Sequence, residues 1–275
     1  MRWKESYTSL IFVLPAVAYI AYFSVLPTID AVYSSFQTPR ASWVFSNYQG
    51  LEFFGLGNAV VNTLVVSFGA LAFQFLLAFV VAGILRKEFR GKKWFTTISI
   101  LPWGVATVVA GFAFKNIFST SGGYLNSFLR LLGVPAFNWF SSYASSVLVL
   151  ILSDSWKSTP IIALILLAGM TGISEEVYQA ASVDGASAVR RFLYITLPGL
   201  RNFIIIALVI RGISEFNIFA LPLILVGYNP PLLTTLVYKF YSTTSSVYYS
   251  YAAATVLLAF VLAFAAVAVR LRRPD

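Results

Sequence analysis

Six stretches of this chain, at about 9–33, 58–85, 94–118, 143–171, 202–226 and 250–270, are each long and apolar enough to cross a lipid bilayer, and nothing else in the sequence constrains its fold as tightly. A spanning helix needs roughly 20 mostly apolar residues. In hydrocarbon every backbone N–H and C=O must find its partner inside the protein, so runs of this length form helices. Composition agrees: hydrophobic residues fill 59% of the 275 positions and charged ones only 11%, where a soluble domain carries about 25% charged residues. The expected fold is an all-α integral membrane protein with six transmembrane helices, forming one membrane-spanning domain over residues 1–275 in the cell membrane.

The absent residue types exclude whole chemistries. There are no Cys, hence no disulfide framework and no thiolate chemistry. There are no His either, which removes the commonest general base and metal ligand. An intrinsic enzyme is not expected, and no metal site is expected. The net charge of +9 does not point to nucleic acid, because the bases sit in short loops beside apolar runs. Thirteen of the nineteen fall on one side: Arg2 and Lys4, then Arg86, Lys87, Arg90, Lys92 and Lys93, then Arg190, Arg191 and Arg201, and finally Arg270, Arg272 and Arg273. The opposite side has Arg40, Arg130 and Lys239. Both termini are therefore expected in the cytoplasm. The first apolar run is too long for a signal-peptide core and has no evident cleavage site, so it is expected to be an uncleaved helix. Trp43, Phe45, Trp139, Phe140, Tyr248 and Tyr249 lie near outer span ends, as an interfacial aromatic belt would.

One connection stands apart. Residues 174–198 form a charged and polar stretch between the fourth and fifth spans. Ser174 is positioned to cap a helix whose first turn carries Glu175 and Glu176, where the helix dipole favours acids. Val177, Ala180 and Ala181 share one side, and small residues there let a partner approach closely. Gly185 suits the left-handed conformation that ends a helix. Ser187 can cap a second short helix running through Tyr194, and Pro198 opens the path to the fifth span. These features predict a rigid helical elbow at the cytoplasmic surface. An amphipathic connector lying on lipid headgroups through Arg190 and Arg191 satisfies the same pattern.

The segment Gln179-Ala180-Ala181-Ser182-Val183-Asp184-Gly185-Ala186, followed by Ile195-Thr196-Leu197-Pro198, resembles the cytoplasmic loop of permease subunits in binding-protein-dependent ABC importers. That family's pattern is E-A-A, three residues, Gly, and later I-x-L-P. The departure is Gln179 in place of Glu, which keeps size and hydrogen bonding but loses charge. Leu14–Ala16, the Pro27 region, Trp156 before Pro160, Phe216–Phe219 and Thr234–Tyr241 are similar to the carbohydrate branch, of the maltose F-type and glycerol-phosphate type. The resemblance implies a type I importer fold. It implies that two permease subunits form the pore, here as a heterodimer, that two cytoplasmic ATPases drive it, and that an extracytoplasmic sugar-binding protein delivers the solute. This chain has no G-x-x-x-x-G-K-[ST] phosphate loop, so ATP and magnesium would lie on the partner ATPase and this chain would carry no cofactor of its own. Glu175, Glu176, Gln179, Ala180, Ala181, Asp184, Gly185 and Ala186 would dock in the ATPase.

Ionisable residues inside spans default to functional hypotheses. Asp154 and Lys157 in the fourth span, and Arg211 and Glu215 in the fifth, are spaced to share a helix face. By rise per residue, Asp154 lies roughly 16 Å below the outer boundary and Arg211 roughly 14 Å above the inner one, both near the midplane. They are expected either to lock the two helices as a buried pair or to line a path for a hydroxylated solute. The resemblance places substrate contacts on these same two spans, at Asp154, Lys157, Ser158, Ile161, Arg211, Ser214, Glu215 and Ile218. Asn62 and Gln74 read as hydrogen bonders in helix packing. The competing readings are an ion-coupled secondary transporter using Asp154 or Glu215, and an ABC permease for a polyol or phosphodiester.

Overall fold

The computed structural model describes residues 12–38, 43–243 and 247–271. Arg2, Lys4, Arg40, Arg272 and Arg273, which entered the orientation argument, lie outside them. In chain order the helices are α1 Phe12–Ser34, α2 Ser46–Phe53, α3 Leu56–Arg86, α4 Lys92–Gly104, α5 Thr107–Ile117, α6 Tyr124–Leu131, α7 Tyr143–Thr171, α8 Glu175–Val183, α9 Ala188–Gly199, α10 Arg201–Phe216, α11 Ala220–Leu225, α12 Leu233–Ser242 and α13 Val247–Arg270. No strand occurs among the described residues beyond an isolated antiparallel bridge between Gln37 and Trp43. The protein is all-α. Four helices, α1, α3, α7 and α13, are individually long and apolar enough to cross a membrane. The count reaches six when each of two bent pairs is taken as one span.

Both bends fall where the sequence weakens the helix. The stretch expected as a continuous third span is α4 and α5, bent by 101° across residues 105–106. Pro102 lacks an N–H and Gly104 has poor helix propensity, so the last turn of α4 unwinds and Val105 turns extended. The other pair, α9 and α10, bends by 69° at Leu200. The stretch expected as the fifth span is helical only to Phe216 before the chain restarts at Ala220. Pro222 explains the gap. Its ring would collide with the carbonyl four residues back, at Ile218, so the helix restarts with Pro222 in its first turn, where the missing N–H has no cost. Two π-helical turns, Ala21–Val25 and Phe192–Thr196, have the same origin. Each precedes a proline, Pro27 or Pro198, and each contains the carbonyl four residues before it, so the widened turn relieves the clash.

Packing centres on α3 and α7, which lie along each other, with α10 against both. On α3 the buried stripe runs Ala59, Thr63, Val66, Ala70, Gln74, Ala78, Ala82 and Leu85, at helical spacing and mostly small. Helices in lipid gain nothing from burying apolar surface against each other, so close backbone approach through small residues does the work. Ile162, Leu166 and Met170 of α7 fill the base-rich end, with Leu200 and Ala207, and Val149 and Leu150 fill the other. By contrast no residue of α1 is buried, and its second half, Leu26–Ser34, packs on α13.

Close approach is tightest where α10 meets α13. A Cβ added at Gly212 would stand 2.0 Å from Phe264 Cε1. Gly212→Leu is expected to cost about 1–3 kcal/mol by forcing the ring and helix apart. The unfolding midpoint of the detergent-solubilised chain reads this out, and an unchanged midpoint would mean that the contact yields freely.

Candidate functional site

The hairpin between α7 and α10 is built by local signals. Ser174 accepts a hydrogen bond from the Glu176 N–H at 3.2 Å, and Ser187 accepts one from the Arg190 N–H at 3.3 Å, so both short helices are capped at their starts. α8 ends in a paired closure: the Ala186 N–H donates to Ala181 O at 2.9 Å and the Gly185 N–H to Ser182 O at 3.1 Å. That pattern requires a left-handed residue just past the helix, and Gly185 has φ of +77°. Glu175, Glu176, Gln179, Ala180, Asp184 and Gly185 are exposed, while Ala181 and Ala186 are half-buried. Apolar Val177, Val183 and Val189 project beside them.

The hairpin is fastened to the bundle through contacts that its sequence did not announce. Arg86, at the end of α3, meets Glu175 at 2.6 Å and lies over the Tyr178 ring at 4.0 Å. The Tyr178 hydroxyl pairs with Thr196 Oγ1 at 2.8 Å, and Arg191 donates to Ser182 Oγ at 2.5 Å. The elbow is therefore tied to the end of α3, and its two helices to each other, rather than hanging as a loop.

The second cluster lies inside the helix bundle. Gln74 of α3 donates through Nε2 to Asp154 Oδ2 at 2.8 Å and to Glu215 Oε1 at 3.0 Å. Arg211 reaches Asp154 Oδ2 at 3.7 Å and also bonds Glu215 one turn along its own helix. Two carboxylates thus converge on one guanidinium and one amide. Glu215 is fully buried and Asp154 nearly so. Gln74 Oε1, Arg211 Nε and Glu215 Oε2 have no partner among the described residues. The cluster ties α3, α7 and α10 together. Gln74, a lone amide in the apolar run of α3, supplies the third corner. Among the described residues no group of three or more His, Cys, Asp or Glu is placed to hold a metal ion.

The other residues singled out on α7 and α10 separate. Lys157 turns away from the cluster and donates to Val105 O at 2.8 Å, across the break between α4 and α5. Ser158 is buried, and Ile161 and Ile218 are half-buried against apolar neighbours. Ser214 is exposed, with its hydroxyl bonded back to Ile210 O at 2.9 Å. Asn217, which sequence reasoning passed over, is exposed at the break after α10 and lines a groove of about 430 Å3 with Thr28 of α1 and Thr255 of α13. Its signal was its place at the foot of a helix that Pro222 forces to restart.

The fold matches two solved bacterial alginate transporter chains. One is described as a bacterial ABC transporter involved in the import of the acidic polysaccharide alginate, with a TM-score of 0.83, 23% identity and 98% coverage of each chain. The other is the alginate ABC transporter in complex with an alginate pentasaccharide-bound periplasmic protein, with a TM-score of 0.84, 22% identity, and 98% and 95% coverage. At these identities the likeness speaks for the fold. In sequence the chain is 29% identical to the trehalose/maltose transport system permease protein MalF of Thermococcus litoralis, over 95% of this chain and 92% of that one. It is 31% identical to the sulfoquinovosyl glycerol transport system permease protein SmoG of Agrobacterium fabrum, over 98% and 92%. The arabinooligosaccharides permease AraP of Bacillus subtilis is 30% identical over 83% and 77%. The profile of binding-protein-dependent transport system inner membrane components matches residues 74–273, most of the chain including the hairpin and the buried cluster, and the protein belongs to that family of multi-pass membrane transport subunits.

Proposed function

We propose that this chain is a pore-forming permease subunit of an ATP-driven sugar importer that works by alternating access. The observation that carries the reading is the hairpin: exposed, capped at both helices, closed by Gly185, and braced to α3 through Arg86 and Glu175. A surface this rigid transmits a displacement instead of absorbing it. The relatives named above, permeases of trehalose and maltose, sulfoquinovosyl glycerol and arabinooligosaccharides, support the cargo class. A second permease subunit completes the pore, two cytoplasmic ATPases bind ATP and magnesium, and an extracytoplasmic sugar-binding protein hands over the solute. Both termini face the cytoplasm, as the distribution of bases favours. Glu175, Glu176, Gln179, Ala180, Ala181, Asp184, Gly185 and Ala186 form the ATPase contact.

The solute path runs over Ser214 and Asn217, with Lys157, Ser158, Ile161 and Ile218 along its wall. Asp154 and Glu215 brace that wall through Arg211 and Gln74, which tie α3, α7 and α10 together. The test is ATP hydrolysis and uptake in proteoliposomes holding the chain with its partner subunits and binding protein, across a panel of sugars. One sugar is expected to stimulate hydrolysis. Ser214→Leu and Asn217→Leu are each expected to lower uptake about tenfold, the loss of roughly one hydrogen bond to a hydroxyl, while assembly survives. Wild-type kinetics in both variants would remove the path, and uptake driven by a proton gradient without hydrolysis would overturn the importer reading.

A further inference from the structure

At the base-rich end of the bundle, between the end of α3 and the hairpin, lies a cavity of about 970 Å3. Its lining divides by chemistry. Phe79, Val80, Ile84 and Phe192 form an apolar slot, and Lys87 and Arg191 stand at its mouth. At 1.5 Å rise per residue, Val80 lies roughly 10 Å deeper along α3 than Lys87. The slot reaches the helix backbone at Gly83, where an added Cβ would meet nothing within 4 Å.

The charges at the mouth do not cancel. Arg86 is held by Glu175, and the other lining acid, Glu88, is taken by Lys92 at 2.5 Å. Neither Lys87 nor Arg191 forms an ion pair among the described residues, and the Arg191 guanidinium contacts only a neutral hydroxyl, that of Ser182. Two uncompensated cations above an apolar slot, at the level where a span leaves the membrane, complement an amphiphile with an anionic head. Basic pockets between spanning helices on the cytoplasmic side hold such headgroups.

We propose that this cavity binds one anionic phospholipid of the adjoining leaflet, its phosphate between Lys87 and Arg191 and the start of an acyl chain along Val80, Gly83 and Ile84. Because Arg86, Glu175 and Tyr178 also line the cavity, the lipid touches the brace that holds the hairpin. The site lies apart from the solute path, and its occupancy does not depend on which solute is carried.

The test is native mass spectrometry of the full chain purified in mild detergent, titrated with phosphatidylglycerol or phosphatidylcholine. One tightly held phosphatidylglycerol is expected, in preference to phosphatidylcholine. Lys87→Ala and Arg191→Ala are each expected to weaken it about fivefold, the usual contribution of one base near an anionic headgroup. Gly83→Leu fills the slot without altering a charge and is also expected to weaken it. Lys93→Ala, an exposed base of the same connection outside the cavity, is expected to leave it unchanged. Equal retention of the two lipids, equal loss in Lys93→Ala, or full retention in Gly83→Leu would each overturn the proposal. So would displacement by millimolar inorganic phosphate, which would make this a free-anion site, or loss of the lipid when the partner subunits assemble, which would make it a protein contact.

Discussion

Gly185→Val is expected to cut sugar-stimulated ATP hydrolysis by about tenfold or more while leaving the membrane bundle folded. Nothing lies within 4 Å of a Cβ built at this position, so the variant meets no neighbour. Its effect comes from the backbone alone. Gly185 sits at φ +77°, a conformation that costs an ordinary L-residue about 1–2 kcal/mol and makes a β-branched residue an outlier. At 1.4 kcal/mol per decade that is roughly a five- to thirtyfold loss of the native turn. The closure from Ala186 to Ala181 and from Gly185 to Ser182 then opens, and α9 no longer leaves α8 at the angle that presents Val177 and Ala180 together with Ala186 and Val189. Gly185→Asn separates conformation from side-chain bulk, because Asn visits the left-handed region readily. It should retain most of the stimulation. Coupled hydrolysis in proteoliposomes, with binding of the purified ATPase measured in parallel, checks both variants. Equal loss in the two would show that the turn conformation is not what matters.

How far the sequence revealed this protein depended on whether the signal was local. The hairpin was legible because caps, dipole-compatible acids and a left-handed glycine act within a few residues, and Ser174, Ser187 and Gly185 do what their types favour. Long apolar runs were equally legible where nothing interrupts them, as at Leu56–Arg86. Hydropathy does not register the breaks at residues 105–106 and after Phe216, since Gly104, Val105 and Pro222 are all tolerated in an apolar average. Matched depth brought Asp154 and Arg211 together, because rise per residue is nearly fixed. Azimuth was harder: α3 is apolar all round, so nothing in its pattern said that Gln74 would face the pair. The same limit applies to α7, where Lys157, three residues from Asp154, turns to the break at Val105 instead of joining the cluster.

The buried cluster carries the largest expected energy. Arg211→Leu removes the one cation from between two buried carboxylates, and breaking a buried pair in this way costs about 3–5 kcal/mol. For a chain of this size that is roughly a 10 °C fall in unfolding midpoint, at about 2–4 °C per kcal/mol. The asymmetry lies in the count. Asp154 and Glu215 both converge on Arg211 and Gln74, so there is one more carboxyl group than cations. Glu215 Oε2 and Gln74 Oε1 are acceptors without a donor among the described residues. Glu215→Gln removes the surplus carboxyl group and replaces an oxygen with an N–H donor of the same size. It is therefore expected to cost under about 1 kcal/mol on its own, and the double variant with Arg211→Leu should recover at least about 1–2 kcal/mol of the single loss, as residues in one network couple. Thermal unfolding of the four proteins in detergent closes the cycle. If Glu215→Gln alone costs as much as Arg211→Leu, Glu215 is the matched partner of the guanidinium. The surplus would then belong to Asp154, the only member of the cluster on α7, and the link from α7 to α10 would rest on the amide of Gln74.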